Sequence, residues 1–523
     1  MIMSHPGMTY LWAVLILIFI AGINLWVLVA PAPTSKQEWR LPLTRIPLLG
    51  GLFRYLTTKI WPLLTLRIIT VAVFSLIILA GIFGTNIPSR NIATVLTWNI
   101  WWTCIVFVVI FSGSSWCGIC PWDTVSNWIA RQRIWRRSKS ESQGRGGRQV
   151  PKALRNVWMA FALFLIFTWM EIGLGITDDP FKTALLSLLM TFLAVMSMMI
   201  FSGRAFCRHA CPIGRTIGFY SQLSAFELRT GDTDVCKECT TLECYHGSET
   251  IAPCPSKLVV GKMKESTYCT SCGNCTQSCP KEVVSWRLRP LSSEAKLDAR
   301  PHLDESFFIL GLLGVTIFHA FTMLGHWEPL LLGLRDFISP NSPVLISFTI
   351  LLMGFTTVPI LVYWCASYLT RFVWQHFFDI SSDVIATTQK WKLSTQDIFC
   401  SFAFVTLPLA FSYHLAHNLN HLMRENSDLI ALAKNPFGWY IKPLTMAERH
   451  EQMMNLIIPQ DVVYIIQTVL MIAGFWIAAQ VIRYRGYKIH QAEKLKLAPI
   501  LLFADLVILT NVWMMVQPMQ MRM

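Results

Sequence analysis

Runs of about twenty apolar residues, separated by polar stretches rich in Lys and Arg, dominate the hydropathy pattern of this chain. Each run is long enough, as a helix, to cross a ~30 Å hydrocarbon core. Ten spans are predicted, at 9–30, 61–85, 93–113, 157–177, 183–203, 306–327, 342–369, 396–421, 459–482 and 499–517. The first run continues for about twenty residues, which favours a retained helix over a cleaved signal. One sizeable polar insertion, 204–305, interrupts the series and separates five spans from five. The expected organisation is therefore an N-terminal membrane domain (1–203), an inserted domain (204–305) and a C-terminal membrane domain (306–523). No internal repeat of fixed period is evident.

Composition agrees: 54% of the 523 residues are hydrophobic and 14% charged, against about 25% charged in soluble domains. The net charge of +14 could suggest nucleic acid. The basic residues flank the apolar runs, however, so membrane topology accounts for them and no nucleic-acid partner is expected. With the N-terminus outside, segments 31–60, 114–156, 204–305, 370–395 and 483–498 face the cytoplasm and hold 35 of the 44 Lys and Arg. Arg67 falls inside the second span near its cytoplasmic end, where it can snorkel. The outer loop 422–458 balances four bases against four acids. The stretch Ser138–Gln149 reads as a flexible cytoplasmic loop. These features predict a multi-pass protein of a bacterial-type inner membrane with both termini periplasmic. The 21 tryptophans fit interfacial belts.

Fifteen cysteines change the picture. The run Cys269-x2-Cys272-x2-Cys275-x3-Cys279-Pro280 has the ferredoxin spacing for a [4Fe–4S] cube, whose fourth cysteine serves the other cluster of a pair. A second set lies upstream, Cys236-x2-Cys239-x4-Cys244-x9-Cys254-Pro255. One cluster is assigned to Cys269, Cys272, Cys275 and Cys254, the other to Cys236, Cys239, Cys244 and Cys279. A zinc ribbon would use two Cys-x2-Cys pairs and leaves the remote Cys-Pro cysteines unexplained. The expected fold is thus an all-α polytopic membrane helix bundle with an inserted small α+β, ferredoxin-like cytoplasmic domain. Two further motifs, Cys117-Gly-Ile-Cys120-Pro121 and Cys207-Arg-His-Ala-Cys211-Pro212, close the third and fifth spans. Four thiolates from two helix ends could converge there on an additional redox or metal centre. Cys104, Cys365 and Cys400 are isolated and read as small hydrophobes.

The paired motifs at span ends, followed by a double ferredoxin domain, resemble the NosR/NapH/CcoG-type membrane polyferredoxins over about residues 60–290. The resemblance implies electron relay between membrane quinone, cytoplasmic donors and periplasmic metalloenzymes, or assistance in copper-enzyme maturation. Three departures stand out. One pair has two intervening residues rather than three, the flavin-binding domain of the NosR branch and a threonine flavinylation motif are not found, and the last five spans exceed the simpler members.

Histidines mark the second half. His319 and His326 belong to span six, and His414, His417 and His421 lie at i, i+3 and i+7 on one face of span eight. His319 and His414 fall in the outer half of their spans. Ionisable groups in a membrane are costly and point to function. A haem b with His319 or His326 facing His414 or His417 is one reading; another metal site, or plain hydrogen bonding to carbonyls, are the others. No Cys-x2-Cys-His occurs, so c-type haem is not encoded. Glu171, in the outer half of span four, could relay a quinol proton outward past Asp178 and Asp179, or be a protonated or hydrogen-bonded structural carboxyl. The outward tail Met514-Met515-x3-Met519-x-Met521-x-Met523 could engage copper, although methionines ending a helix usually pack.

Together these features predict a membrane electron-transfer subunit rather than a complete enzyme. It would couple quinone or a cytoplasmic donor to a periplasmic redox partner. The alternative is a metalloenzyme-maturation or copper-reducing assembly factor. A redox sensor lacks a recognisable signalling segment, and a transporter lacks repeats or paired broken helices.

Overall fold

The structure is a computed structural model. It describes the chain except for residues 1–3, 34–38, 132–146, 301, 378–393, 425–428, 446, 449–450, 452–453, 455, 493 and 521–523, and gives the backbone alone at 4, 5, 131, 421, 424 and 490. Most of the Ser138–Gln149 loop therefore lies outside the described residues. Among those described, nine helices are long and apolar enough to cross a membrane. They are Tyr10–Val29, Ile60–Phe83, Ile92–Ser112, Pro180–Ile200, Leu303–Phe321, Val344–His376, Thr395–Asn420, Gln460–Ile489 and Lys494–Val516. Nine of the ten predicted runs are thus helical spans, and the protein is a multi-pass membrane protein.

The tenth run departs from expectation. It forms Trp158–Gly173, which ends in a π-helical turn at Trp169–Gly173. At 1.5 Å per residue this is about 24 Å, short of a ~30 Å core. A further helix, Trp327–Ile338, occupies what reads as an outer connection, and none of its residues is buried.

The described residues gather into two compact units, 1–36 with 295–425 and 446–523, and 37–294 with 426–445. This differs from the three consecutive blocks read from the sequence. Hydropathy locates spans along the chain but does not say which of them pack together.

The first unit is built around the Thr395–Asn420 helix, which is buried along its whole apolar stretch. By contrast, Tyr10–Val29 and Val344–His376 bury 28% and 22% of theirs. Membrane helices associate through close packing of small residues. Gly474 provides it here, because a Cβ there would collide with Ser412 Oγ and meet Pro408 O at 3.0 Å. The first helix joins this unit through polar and aromatic contacts. Asn24 Nδ2 donates to Asp505 Oδ1 at 2.8 Å, and the Trp26 and Trp476 ring centroids lie 4.5 Å apart. Met514, Met515 and Met519 are buried, and Met519 pairs with His5 in a two-stranded sheet. Packing therefore explains these three methionines; Met521 and Met523 lie outside the described residues.

The second unit combines the helices between residues 60 and 220 with a three-stranded antiparallel sheet. Phe226–Thr230 pairs with Val284–Leu288, Leu228 opposite Trp286, and Leu41–Pro42 flanks the other edge of Val284–Leu288. The loop residues 426–445 also belong here. Pro436 O accepts from Ile92 N at 3.0 Å, and Trp439 Nε1 donates to Phe83 O at 3.0 Å.

One end of the sheet is tied by buried charge. Glu227 pairs with Arg287 at 2.6 Å and with Arg289 at 2.9 Å. Glu294 pairs with Arg289 and, at 2.8 Å, with Arg229. Glu294 also accepts from Ser266 N at 2.6 Å and Ser266 Oγ at 2.7 Å, which fixes the chain three residues before Cys269. Burial alone would push the Glu227 carboxyl up, but Arg289, Arg229 and Arg287 together hold it below its ordinary value. Removing one partner of a buried ion pair leaves uncompensated charge, a loss of about 3–5 kcal/mol. Glu294→Gln is expected to destabilise the second unit by about that much, read as a lowered unfolding midpoint of the detergent-purified protein. A midpoint within about 1 kcal/mol of the parent would contradict the network's role.

Candidate metal centres

The two Cys-Pro motifs share one local geometry. Pro121 opens the helix Pro121–Arg131 and Pro212 opens Pro212–Tyr220. Proline suits the first helical position because its missing N–H has no intrahelical partner to lose there. Cys120 and Cys211 therefore sit at helix N-termini, where unpaired amides favour a thiolate. Gly214 N donates to Cys211 Sγ at 3.2 Å. Cys117 and Cys207 come from the short helices Trp116–Ile119 and Ala205–His209 that precede the prolines.

These four cysteines form one electrostatic group. Burial pushes the Cys117 thiol up to about 12, with Cys211 adding to the rise. Burial also raises Cys120, with Cys117 and Cys211 contributing, and Cys207, with Asp123, Cys211 and Cys120 contributing. The counter-charge is Arg204, whose Nη2 lies 2.6 Å from Asp123 Oδ2 with both side chains buried. The Cys207 thiol itself lies 3.8 Å from Asp123 Oδ1. Sequence reading missed Asp123 and Arg204. The available signal was an acid three residues after Cys120 and an arginine three residues before Cys207.

The remaining eight cysteines lie between Cys236 and Cys279. Burial pushes Cys254 up to about 12, and Cys272 and Cys269 add to it. Burial likewise raises Cys275, with Cys272, Cys269 and Cys254 contributing. These four line a cavity of about 380 Å³, open solvent included, together with Leu228, Val260 and Met263. Backbone amides point at the sulfurs, Leu258 N at 3.3 Å from Cys254 Sγ and Ser271 N at 3.5 Å from Cys269 Sγ. In the other group burial raises Cys244, with Cys236, Cys279 and Cys239 as its thiol neighbours. Cys239 is the outlier: the amide of Leu242 and the Thr241 hydroxyl hold its thiol below the ordinary value.

The three groups follow one another within the second unit. Cys275 is influenced by Cys244 of the neighbouring group. Arg204 stays protonated despite its burial because Asp123, then Cys272, Cys207 and Cys117, all favour its charge. Ser114 Oγ lies 2.8 Å from Ser271 Oγ. A Cβ on Gly118 would come 2.6 Å from Ser271 O, so only glycine allows this approach of the two cysteine loops.

The histidines belong to the first unit. The ring centroids of His319 and buried His417 lie 6.5 Å apart, and Tyr413 stacks on His417 at 6.0 Å. His326 is exposed and stacks on Trp513 at 6.1 Å. His414 lies one turn before His417, and its carbonyl accepts from Asn418 Nδ2 at 2.9 Å. His319 with His417 is one of the four pairings read from sequence. Glu171 is half-buried in the π-helical turn. Asp179 caps the helix Pro180–Ile200 through Lys182 N at 3.1 Å and pairs with Lys182 Nζ at 3.4 Å.

Comparison with known proteins adds a family match. A 4Fe–4S binding domain model matches residues 94–141 and 184–229, the segments that carry the two Cys-Pro motifs. YccM of Escherichia coli, assigned to electron transport, is 26% identical over 171 residues, 32% of this chain and 45% of that protein. The ferredoxin-type protein NapH of Haemophilus influenzae is 24% identical over 206 residues, 35% of this chain and 66% of NapH. An uncharacterized protein of Methanocaldococcus jannaschii is 22% identical over 191 residues, 35% of this chain and 75% of the relative. The match thus spans just under half of YccM and about a third of this chain. No solved structure matches with significance.

Thiols raised to about 12 at Cys117 and Cys254 are protonated throughout the neutral range. Binding iron–sulfur must displace those protons, so loading is favoured as pH rises. Reconstitution of the metal-free protein with iron and sulfide is expected to go further at pH 8.5 than at pH 6.5, as ~2 pH units alter proton competition at each bound thiolate. Equal loading at both pH values would contradict this account.

Proposed function

We propose that the chain is a membrane polyferredoxin that works as an electron relay whose second unit holds three four-cysteine iron–sulfur sites. Its candidate sites are Cys236, Cys239, Cys244 and Cys279; Cys254, Cys269, Cys272 and Cys275; and Cys117, Cys120, Cys207 and Cys211. The observation that carries this reading is that Cys254, Cys269, Cys272 and Cys275 line one cavity, with Cys244 near Cys236, Cys239 and Cys279 and with Cys117, Cys120 and Cys207 near Cys211. The match of the 4Fe–4S domain to both Cys-Pro motifs supports iron–sulfur at the third group as well. Bound clusters of this type carry single electrons.

The protein's own part is to hold the thiolates and compensate their charge. Amides of Gly214, Leu258 and Ser271 aim at ligand sulfurs. Arg204 and Arg229 lie close enough to favour the ionised thiols of Cys117 and Cys269. Cys239, with its lowered thiol, is the outermost ligand, which makes its group the natural contact for a soluble redox partner. The positive-inside pattern supports a cytoplasmic position for that group.

In the first unit His319 and His417 are the best candidates to hold a haem b iron. Their 6.5 Å ring separation suits two imidazoles on one metal. Glu171 and a membrane quinone complete the proposed exchange with a redox partner. The burial of Met514, Met515 and Met519 favours packing over a copper-handling role for those three residues.

The test is iron, acid-labile sulfide and pyridine-haemochrome analysis of anaerobically purified protein. The reading predicts about twelve irons with matching sulfide and about one haem. Cys117→Ser/Cys211→Ser should lose about four irons, and His417→Ala the haem. A parent with about eight irons would remove the third site; a parent without haem would remove the histidine centre.

A further inference from the structure

Arg67 is the one charged side chain within the Ile60–Phe83 span. Reading it as snorkelling to the surface is wrong: the residue is 3% exposed. A guanidinium is costly at such a place unless it is put to use, and its contacts show how. Arg67 Nε donates to Gly118 O at 2.8 Å, inside the Cys117-Gly-Ile-Cys120 motif. Its Nη2 donates to Cys272 O at 3.1 Å, on the ferredoxin-type loop. One planar side chain thus joins the backbones of two cysteine loops that are 154 residues apart in sequence (272 minus 118).

Two other arginines meet the same short stretch. Arg204 Nη1 donates to Thr270 Oγ1 at 3.0 Å and Arg215 Nη1 to Thr267 O at 3.0 Å. Their situations differ from that of Arg67. Arg204 is paired with Asp123, and Arg215 lies over the Tyr268 ring at 4.8 Å. Arg67 alone among the three bonds a carbonyl of each cysteine loop. The close approach of Gly118 to Ser271 O leaves no room for the loops to be held apart by a longer connection.

We propose that Arg67 is a positioning residue that straps the Cys-Pro loop to the Cys272 loop and holds a buried positive charge where the two loops meet. The electrostatic half of this inference rests on both groups holding iron–sulfur, as proposed above; the mechanical half does not. A fixed buried cation stabilises the more negative, reduced state of any nearby centre and so eases its reduction. The forked geometry matters separately from the charge. Lysine keeps the charge but is a single-point donor and cannot span two carbonyls in this way.

Two variants separate these contributions, Arg67→Lys and Arg67→Met, compared with the parent protein in three measurements. Hydrogen exchange of the 267–275 amides reads the strap and needs no bound metal; it should speed up in both variants. Redox titration followed by electron paramagnetic resonance reads the charge. The potentials of both neighbouring centres should shift negative in Arg67→Met and much less in Arg67→Lys. The spin–spin interaction between the two reduced centres should weaken in both variants, at unchanged iron content. If Arg67→Met fails to accumulate, faster exchange and weaker interaction in Arg67→Lys carry the test. Parent-like exchange, potentials and spin interaction in the variants would overturn the proposal. Missing iron at the Cys-Pro group in the parent itself would instead overturn the three-site reading, with the exchange result still deciding the strap.

Discussion

Burying ionisable sulfur beside a membrane is the constraint on which the second unit depends. A thiolate taken out of water is stable only where positive charge or amide dipoles replace the solvent. Left alone, the buried thiols of this unit are pushed upward, to about 12 at Cys117 and Cys254. The chain answers with helix N-termini behind the Cys-Pro motifs, amides directed at sulfur, and buried arginines. Those arginines need satisfying in turn. Asp123 answers Arg204 at 2.6 Å, Glu227 and Glu294 answer the arginines of the sheet, and backbone carbonyls answer Arg67. Sheet, helix ends and cysteine loops are parts of one charge-compensating arrangement.

That arrangement was partly legible in the sequence. Apolar runs revealed the spans because a helix must satisfy its own backbone in lipid. Cysteine spacing nominated two ferredoxin-type groups because a cube draws ligands from a tight loop and a remote Cys-Pro. The expected convergence of Cys117 and Cys120 with Cys207 and Cys211 rested on their positions at two predicted span ends. The compensating charges were not legible. Arg67 looked like a snorkelling residue, and Asp123 and Glu294 drew no attention, because pairing across scores of residues leaves no periodic trace. Packing order was hidden for the same reason, and Tyr10–Val29 joins the unit of the C-terminal helices through Asn24 and Trp26. Helical spacing nominated His414, His417 and His421 but could not tell which of them lies beside His319, since that depends on where the helix of His319 arrives.

The two units have different chemical characters. One is rich in sulfur and in buried arginine–carboxylate pairs, the other in aromatic and imidazole contacts around a wholly buried helix. The sulfur-held clusters and histidine-held centre proposed above would both be one-electron carriers, which fits a relay better than a hydrolytic or group-transfer enzyme. The family match at the Cys-Pro motifs anchors this view at the site where the sequence alone left the occupant open.

The most direct measurement is an iron-edge anomalous difference map from crystals of the anaerobically purified protein. The account predicts compact multi-iron density within each of the three cysteine groups, including the one formed by Cys117, Cys120, Cys207 and Cys211. A disulfide, a single zinc ion or no metal at that last group would contradict the claim that the Cys-Pro motifs complete the relay.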